Sequence, residues 1–247
     1  MAHNLTDQLF DTLETEILKG VYKAGARFPS ERVVSGRYGV SRITTRHAFS
    51  RLCQMGLLKK VPQSGYFVTD YLTDASVDLL IKIMQSTDSI DKDILFSLLE
   101  FRRVNEVHAA RKAALAITNE EAGELGLLAE KGQANLENMG VLCDCDYEIH
   151  RAVIQYSRNR VLPLLFNSFK PLYRHYVEFF YRLPGAGSHV MPLYKKLAAA
   201  CGAHDSDYAA HLMDTILSYA ENRVKDALTF LENETCVDLA AFRQTNG

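Results

Sequence analysis

The order of structural signals in the first 70 residues constrains this chain more than any other feature. Leucine or isoleucine recurs every four residues over 5–20, which predicts an amphipathic helix. Ser30 stands in the N-cap position before a short second helix, which is predicted to end at Tyr38-Gly39. Ser41 caps a third helix, which is predicted to cover residues 42–55.

Two short β-type runs follow the third helix, and Pro62-Gln63-Ser64-Gly65 between them predicts a hairpin turn. Three helices and a hairpin in this order, with a tight turn at Gly39, predict a winged helix-turn-helix. A generic three-helix bundle is the alternative, but it would leave the hairpin unexplained. The inward-facing residues of the third helix are predicted to be Ile43, Ala48, Leu52 and Met55.

Beyond Tyr71 the β signals disappear and helical periodicity takes over. The periodic segments are 76–86, 91–117, 120–139, 146–157, 160–182, 190–202 and 205–232. The predicted fold is therefore mainly α, with an N-terminal winged helix-turn-helix and an all-α bundle of six or seven helices. The predicted domains are the winged helix-turn-helix at 1–70, a linker at 71–75, and the all-helical domain at 76–247.

The composition is that of a globular protein, with 47% hydrophobic and 23% charged residues. The chain has no run of 18 apolar residues, and its N-terminus carries acids where a signal peptide has a cationic start. We therefore expect a cytoplasmic protein without a membrane partner. Cys143-Asp144-Cys145 is either half of a metal site or an ordinary helix start, since cytosolic thiols are usually reduced.

Basic residues are concentrated in one segment of the chain. Between Lys19 and Lys60, ten residues are Lys or Arg and one, Glu31, is acidic. Residues 71–247 hold 18 basic and 24 acidic residues, so the net charge of −2 hides a basic head and an acidic remainder. Such a head is typical of polyanion binding, with a solvated basic surface as the alternative.

The third helix begins with side chains that suit contact with DNA. Arg42, Thr45 and Arg46 lie within about one turn of each other at the end that enters the major groove in a helix-turn-helix. Arginine binds guanine through two hydrogen bonds, and Ser or Thr hydroxyls suit phosphates. Arg32 is predicted to approach the same groove. The wing tip is predicted to lie in the minor groove through Gln63, Ser64 and Gly65.

The run PSERVVSGRYGVSRITTRHAFSRLCQMGLLKKVPQSGYFV resembles the DNA-binding domain of the GntR family of transcription regulators. The resemblance extends nearly without gaps over residues 5–69. Phe28 and Thr45 replace the Leu and Val that the family usually has. By position, the resemblance implies DNA contacts from Arg32, Ser41, Arg42, Thr44, Arg46 and the wing tip around Gly65.

The second half of the chain resembles the helical effector domain of the FadR branch of this family, over residues 76–232. The runs LLEFRRVNEVHAARKAALAIT and DYEIHRAVIQYSRNRVLPLLF carry the resemblance. In many members an Asp and a His four residues apart bind a divalent metal together with two later histidines. Asp146 and His150 match that pair, but Tyr194 and Ile216 stand at the positions of the later histidines. The resemblance therefore implies no cofactor, with a metal held by Asp146 and His150 as the alternative.

One regulator of this branch also lacks the metal ligands; it regulates fatty acid metabolism and binds long-chain acyl-CoA without a metal. An acyl-CoA is therefore the leading expectation for the effector. Thr215 and Asn222 depart from the residues that help to hold the CoA portion. A small organic acid, sensed by a metal-dependent repressor, is the alternative.

The predicted effector site contains Arg102, Asp146, His150, Tyr173 and Tyr194. Arg102 is predicted to bind an anionic group of the effector, because arginine pairs well with carboxylate or phosphate. An ion pair with Glu106, one turn along, is the alternative for Arg102. The aromatic segment 173–183 either lines an acyl slot or fills the core.

Together these patterns predict a ligand-responsive transcription regulator that binds a palindromic operator in double-stranded DNA as a homodimer. An all-α hydrolase is the enzyme alternative, but the chain has no Gly-rich phosphate loop, nucleophile elbow or HExxH motif. We therefore expect no enzyme activity. An architectural DNA-binding protein without an effector is the other alternative, and it would leave the long helical domain unexplained.

Overall fold

The computed structural model describes residues 5–75, 79, 80, 82, 90–229, 236 and 237. The chain divides into two compact units, Met1–Ile83 and Met84–Gly247. The predicted fold class is confirmed: a small winged helix-turn-helix is followed by a helical bundle. Within the described ranges, no helix combines the length and apolarity that a membrane span requires.

The helices of the first unit are α1 (Leu5–Leu18), α2 (Glu31–Tyr38), α3 (Arg42–Gln54) and the short α4 (Tyr71–Asp74). Both predicted N-caps are confirmed. Ser30 accepts a hydrogen bond from the backbone N–H of Val33, and Ser41 accepts one from Thr44 at 3.0 Å. These bonds satisfy N–H groups that have no partner within the helix.

The predicted hairpin forms between β1 (Leu58–Val61) and β2 (Gly65–Val68), which pair antiparallel. Arg27 adds a bridge to Phe67 on the outer edge of β2. Gly56 leads from α3 into β1 with a φ of 75°. A Cβ at this position would lie 2.6 Å from the carbonyl oxygen of Asp74, so glycine is required here.

The buried face of α3 differs from the prediction. Thr45, Ala48, Phe49 and Leu52 are buried, whereas the side chain of Ile43 is 69% exposed. Thr45 precedes Ala48 and Phe49 by three and four residues and therefore shares their face of the helix. The inward placement predicted for Ile43 is wrong.

The helices of the second unit are α5 (Lys92–Ala116), α6 (Asn119–Gln133), α7 (Met139–Tyr156), α8 (Leu162–Ser168), α9 (Lys170–Arg182), α10 (Ala186–Gly202) and α11 (Ser206–Thr229). The short strands β3 (Ile90–Asp91) and β4 (Cys236–Val237) pair antiparallel. Helix α7 packs against α5, α6 and α9, while α10 packs against α6 and α11. Helix α10 also contacts α5 and α9, so side chains from α5, α7, α9 and α10 meet inside the bundle.

The predicted helix 160–182 is two helices, α8 and α9, which divide at Phe169. Pro171 has no N–H to donate, so the hydrogen-bond ladder of α8 cannot continue through it. Helix α7 begins seven residues before its predicted start, with Asn138 as its N-cap. Most of the predicted helix 76–86 lies outside the described residues.

The first compact unit extends past the domain end predicted at residue 70. Leu79 is buried in the hydrophobic core of that unit. Lys82 forms ion pairs with Asp11 at 2.7 Å and Glu14 at 2.6 Å. These contacts attach residues 79 and 82 to α1, which is why the units divide after Ile83 and not in the predicted linker at 71–75.

Candidate functional site

An open groove in the first unit brings together four of the nine residues predicted to contact DNA, namely Arg32, Arg42, Arg46 and Gly65. Its lining comes from the segment before α2, from α2, from α3 and from the wing. The residues are Arg27, Phe28, Pro29, Ser30, Glu31, Arg32, Arg42, Arg46, Gly65 and Tyr66. Ser41 and Thr44 lie at the N-terminal end of α3, with their hydroxyl oxygens 2.9 Å apart. Gln63 and Ser64 are exposed at the wing tip.

Thr45 does not belong to this surface. Its side chain is fully buried, and its hydroxyl donates a hydrogen bond to the carbonyl oxygen of Ser41 at 3.1 Å. A side chain in the core cannot reach a base or a phosphate, so the prediction for Thr45 is wrong. Arg27 and Glu31 line the groove and were missed. The isolated acid within the basic segment was a signal for Glu31.

A second set of side chains forms a buried polar cluster in the helical unit. Helix α5 contributes two residues, α7 two, α9 two and α10 one. The cluster consists of Arg102, Glu106, Asp146, His150, Tyr173, Tyr181 and Tyr194. It contains every residue predicted for the effector site, and Tyr181 is an addition that helical spacing alone did not single out.

Asp146 accepts hydrogen bonds from the hydroxyls of Tyr173, Tyr181 and Tyr194, the last two at 2.7 Å. The hydroxyl oxygen of Tyr194 also lies 2.7 Å from Nε2 of His150. Because Tyr194 donates its one proton to Asp146, its oxygen must accept from Nε2. Nδ1 of His150 contacts the Glu106 carboxylate. Both ring nitrogens of His150 are therefore engaged by neighbouring side chains.

The charged groups of the buried polar cluster all have partners. Glu106 accepts a hydrogen bond from Nε of Arg102 at 2.6 Å and also faces His150. Asp146 accepts hydrogen bonds from the three tyrosine hydroxyls. Buried charges are tolerated when they are paired and hydrogen-bonded in this way. Burial, together with the neighbouring Asp146, keeps the pKa values of the three tyrosine hydroxyls well above 10, so they remain donors.

The carboxyl group of Glu106 should make the stability of the helical unit depend on pH. Burial acts to raise its pKa, but Arg102 and His150 outweigh burial and lower the pKa to about 2. The folded-state pKa is below the unfolded value, so this contribution is complete above pH 4.5 and is lost as the pH falls towards 2. We expect the free energy of unfolding to fall by about 3 kcal/mol when this contribution is lost. Urea unfolding of wild type and Glu106→Gln at pH 7 and at pH 3 measures this contribution. The difference in unfolding free energy between the two proteins should be smaller at pH 3. An unchanged difference would contradict the lowered pKa of Glu106.

The buried polar cluster does not fit a metal ion. Asp146 and His150 direct their ligand atoms at neighbouring side chains, and Tyr194 and Ile216 supply neither imidazole nor carboxylate. Among the described residues, no group of three or more His, Cys, Asp or Glu is arranged to hold a metal. Burial raises the pKa of the Cys143 thiol to about 12, which opposes its use as a thiolate ligand.

An apolar cavity opens beside the buried polar cluster. The centre of a water molecule can occupy about 70 Å³ of it, and the whole empty space, which includes open solvent, is about 670 Å³. Its walls come from α5, α7, α8 and α9 and are largely aliphatic or aromatic. The lining residues are Leu95, Leu98, Leu99, Phe101, Arg102, Asn105, Glu106, Ile154, Leu162, Leu165, Phe166, Phe169, Tyr173 and Tyr176.

The charged and amide groups that line this apolar cavity already have partners. The predicted alternative for Arg102 is present, since its Nε pairs with Glu106 while Nη2 donates to the Tyr173 hydroxyl at 3.0 Å. Asn105 donates through Nδ2 to the carbonyl oxygen of Phe101 at 2.7 Å. The cavity therefore offers apolar surface and shape, without an unpaired charge among the lining groups.

Two family models match the chain. The model described as bacterial regulatory proteins, gntR family, matches residues 5–68, and the FCD domain model matches residues 97–219. A solved structure described as "Lar controls the expression of the Listeria monocytogenes agr system and mediates virulence" has a TM-score of 0.56 at 14% identity. It covers 90% of this chain and 97% of its own, which supports the fold.

Curated relatives match most of the chain. The galactonate operon transcriptional repressor of Escherichia coli is 25% identical over 92% of this chain and 99% of its own length. The fatty acid metabolism regulator protein of Serratia proteamaculans is 25% identical over 81% of each chain. An Escherichia coli protein named for regulation of the L-lactate dehydrogenase operon is 24% identical over 91% of this chain and 88% of its own. The chain belongs to the GntR family of bacterial regulatory proteins: it is a DNA-binding transcription regulator with an FCD effector domain, and not an enzyme.

Proposed function

We propose that the effector of this regulator carries an aliphatic chain, as an acyl-CoA does, and that the chain occupies the apolar cavity. The main observation in support is that the charged lining residues, Arg102 and Glu106, neutralise each other beside walls that are almost wholly apolar. Each buried methylene contributes about 0.8 kcal/mol to binding. The charged end of the ligand would remain at the cavity mouth in water.

A small hydroxy acid fits this site less well. Such a ligand needs a free cation or a metal, because most of its surface is polar or charged. Arg102 and His150 already face Glu106, and Asp146 is occupied by tyrosine hydroxyls. The relatives are named for operons or pathways of lactate, galactonate and fatty acids, which are all carboxylic acids. We favour the fatty acid class because of the cavity, and we propose that binding needs no metal.

Calorimetry on the full chain tests this proposal. Titrations with octanoyl-CoA, palmitoyl-CoA and the free fatty acids are compared with CoA alone, L-lactate and galactonate, before and after EDTA treatment. A ligand at 100 times its Kd should also stabilise the protein by about 2.7 kcal/mol. Binding that requires the acyl chain and survives EDTA supports the proposal. Binding of lactate or galactonate, without binding of any acyl ligand, contradicts it.

We propose that a homodimer binds a palindromic operator, with one α3 helix in each of two successive major grooves. One α3 helix can contact only a few base pairs, and two-fold pairing doubles that number at half-sites roughly one helical turn apart. Binding of the effector would then shift the population of DNA-competent dimers. Native mass spectrometry of the protein, with and without an operator duplex, measures the subunit count. A single subunit on each duplex would contradict the dimer.

Arg46 is our proposed base-contacting residue. Its side chain is 71% exposed on α3, and arginine can bind guanine O6 and N7 together. We expect Arg46→Ala to weaken operator binding by about 1–3 kcal/mol and to relax specificity at one base position. Binding to operators mutated one base pair at a time measures this. An equal loss on every sequence would identify Arg46 as a phosphate contact instead.

A further inference from the structure

Glu31 is an acidic side chain within a groove of arginines. Arg27, Arg32, Arg42 and Arg46 line the same groove. A carboxylate here weakens the attraction between the protein and DNA phosphates, because like charges repel at short range. We therefore expect this carboxylate to have a role that offsets the weaker attraction to DNA, and its contacts indicate that role.

The Glu31 carboxylate connects three structural elements. It belongs to the first turn of α2. Its Oε2 accepts from Nε and Nη2 of Arg46 on α3, at 3.3 and 3.4 Å. Its Oε1 accepts from the hydroxyl of Tyr66 on β2, at 3.0 Å. The Tyr66 ring is itself fixed against Phe49, with the two ring centroids 4.8 Å apart.

We propose that Glu31 is a positioning residue that holds the Arg46 guanidinium in one orientation for base recognition and links it to the wing. This inference rests on the proposed base contact of Arg46. Arginine has five N–H donors in a rigid plane, so the two that face Glu31 leave the others directed outwards. A guanidinium that is already held in place loses less conformational entropy when it binds. The resulting gain in affinity applies to DNA sequences whose bases present hydrogen-bond acceptors in matching positions.

The chain provides a closely matched control. Glu16 has a side chain that is 21% exposed, against 22% for Glu31, and it also contacts an arginine and a tyrosine. Its partners are Arg37, at 3.8 Å, and the Tyr38 hydroxyl, at 2.8 Å. Neither partner lines the groove. Glu16→Gln therefore removes the same charge without affecting Arg46.

The experiment uses the full chain and a duplex selected by wild-type protein from a random pool, compared with a scrambled duplex of equal composition. Glu31→Gln should weaken binding to the selected duplex about 5- to 30-fold and strengthen binding to the scrambled one about twofold. Glu16→Gln should leave the ratio of the two affinities unchanged. The melting temperature shows whether each variant is folded. Tyr66→Phe keeps Glu31 and its charge, and it should lower the ratio of the two affinities by a smaller factor than Glu31→Gln does.

A double-mutant cycle separates positioning from the other roles of Glu31. If Glu31 acts through Arg46, adding Glu31→Gln to Arg46→Ala should cause no further loss of discrimination. Additive losses would overturn the positioning role, as would equal changes of both affinities in Glu31→Gln. An Arg46→Ala variant with full discrimination would refute base recognition by Arg46, and the present inference with it.

Discussion

Asp146→Ala is expected to lower the free energy of unfolding of the helical unit by about 3–5 kcal/mol, which is typical of breaking a buried ion pair. Asp146 is 3% exposed and accepts hydrogen bonds from three tyrosine hydroxyls, two of them at 2.7 Å. Its removal leaves those hydroxyls without an acceptor. A buried polar group that loses its hydrogen-bond partner costs about 1–3 kcal/mol, so three such hydroxyls account for a loss of this size.

Urea unfolding followed by far-UV circular dichroism measures this effect, since the chain has no tryptophan to report by fluorescence. The control is Asp144→Ala, on the same helix. Asp144 has a side chain that is 70% exposed and lies 4.0 Å from Arg174. Exposed pairs of this kind contribute little, so the control should change stability by less than about 0.5 kcal/mol. Equal effects for the two variants would contradict the buried polar cluster.

Leu165→Trp should abolish most of the binding of an acyl effector. Leu165 lies on α8 and lines the apolar cavity. The indole ring exceeds the leucine side chain by roughly the volume of two methylene groups, which the ligand would otherwise occupy. At about 0.8 kcal/mol for each methylene, the loss is about 1.6 kcal/mol, or roughly 15-fold in Kd. Calorimetry with palmitoyl-CoA measures it.

The matched variant for this test is Leu164→Trp. Leu164 is the preceding residue on the same helix, but its side chain is 68% exposed and does not line the cavity. The indole ring is therefore added to the surface, and affinity for the acyl ligand should stay within about twofold of wild type. If both variants bind palmitoyl-CoA as tightly as wild type, the ligand does not occupy this cavity.

The face that α3 presents to DNA shows how far a sequence pattern can be trusted. The N-cap at Ser41 and the helix that follows were predictable, because a cap is a local interaction over three residues. The positions of Ile43 and Thr45 were predicted in reverse. Chemical type suggested that the isoleucine would be buried and the threonine exposed. Helix geometry and the position of Phe49 in the core decided otherwise.

The residues of the buried polar cluster were predicted to lie together, but their arrangement was not predicted. Asp146 and His150 followed from a four-residue spacing on α7, while Tyr194 followed from a family resemblance. That Tyr194 bridges these two side chains could not be deduced, since 44 residues separate it from His150. The pairing of the buried polar groups depends equally on such distant contacts, because Glu106 on α5 faces His150 from another helix.

By itself, the sequence determined the fold class, the helical caps, the wing and the concentration of arginine on the DNA-binding head, because these depend on interactions between residues that are near in the chain. The tertiary structure decided which of those side chains face outwards, how Glu31 holds Arg46, and that the charges in the helical unit neutralise one another beside an apolar cavity. The physical reason is that hydrogen-bond pairing and burial depend on how separate helices pack, and no local pattern specifies that packing.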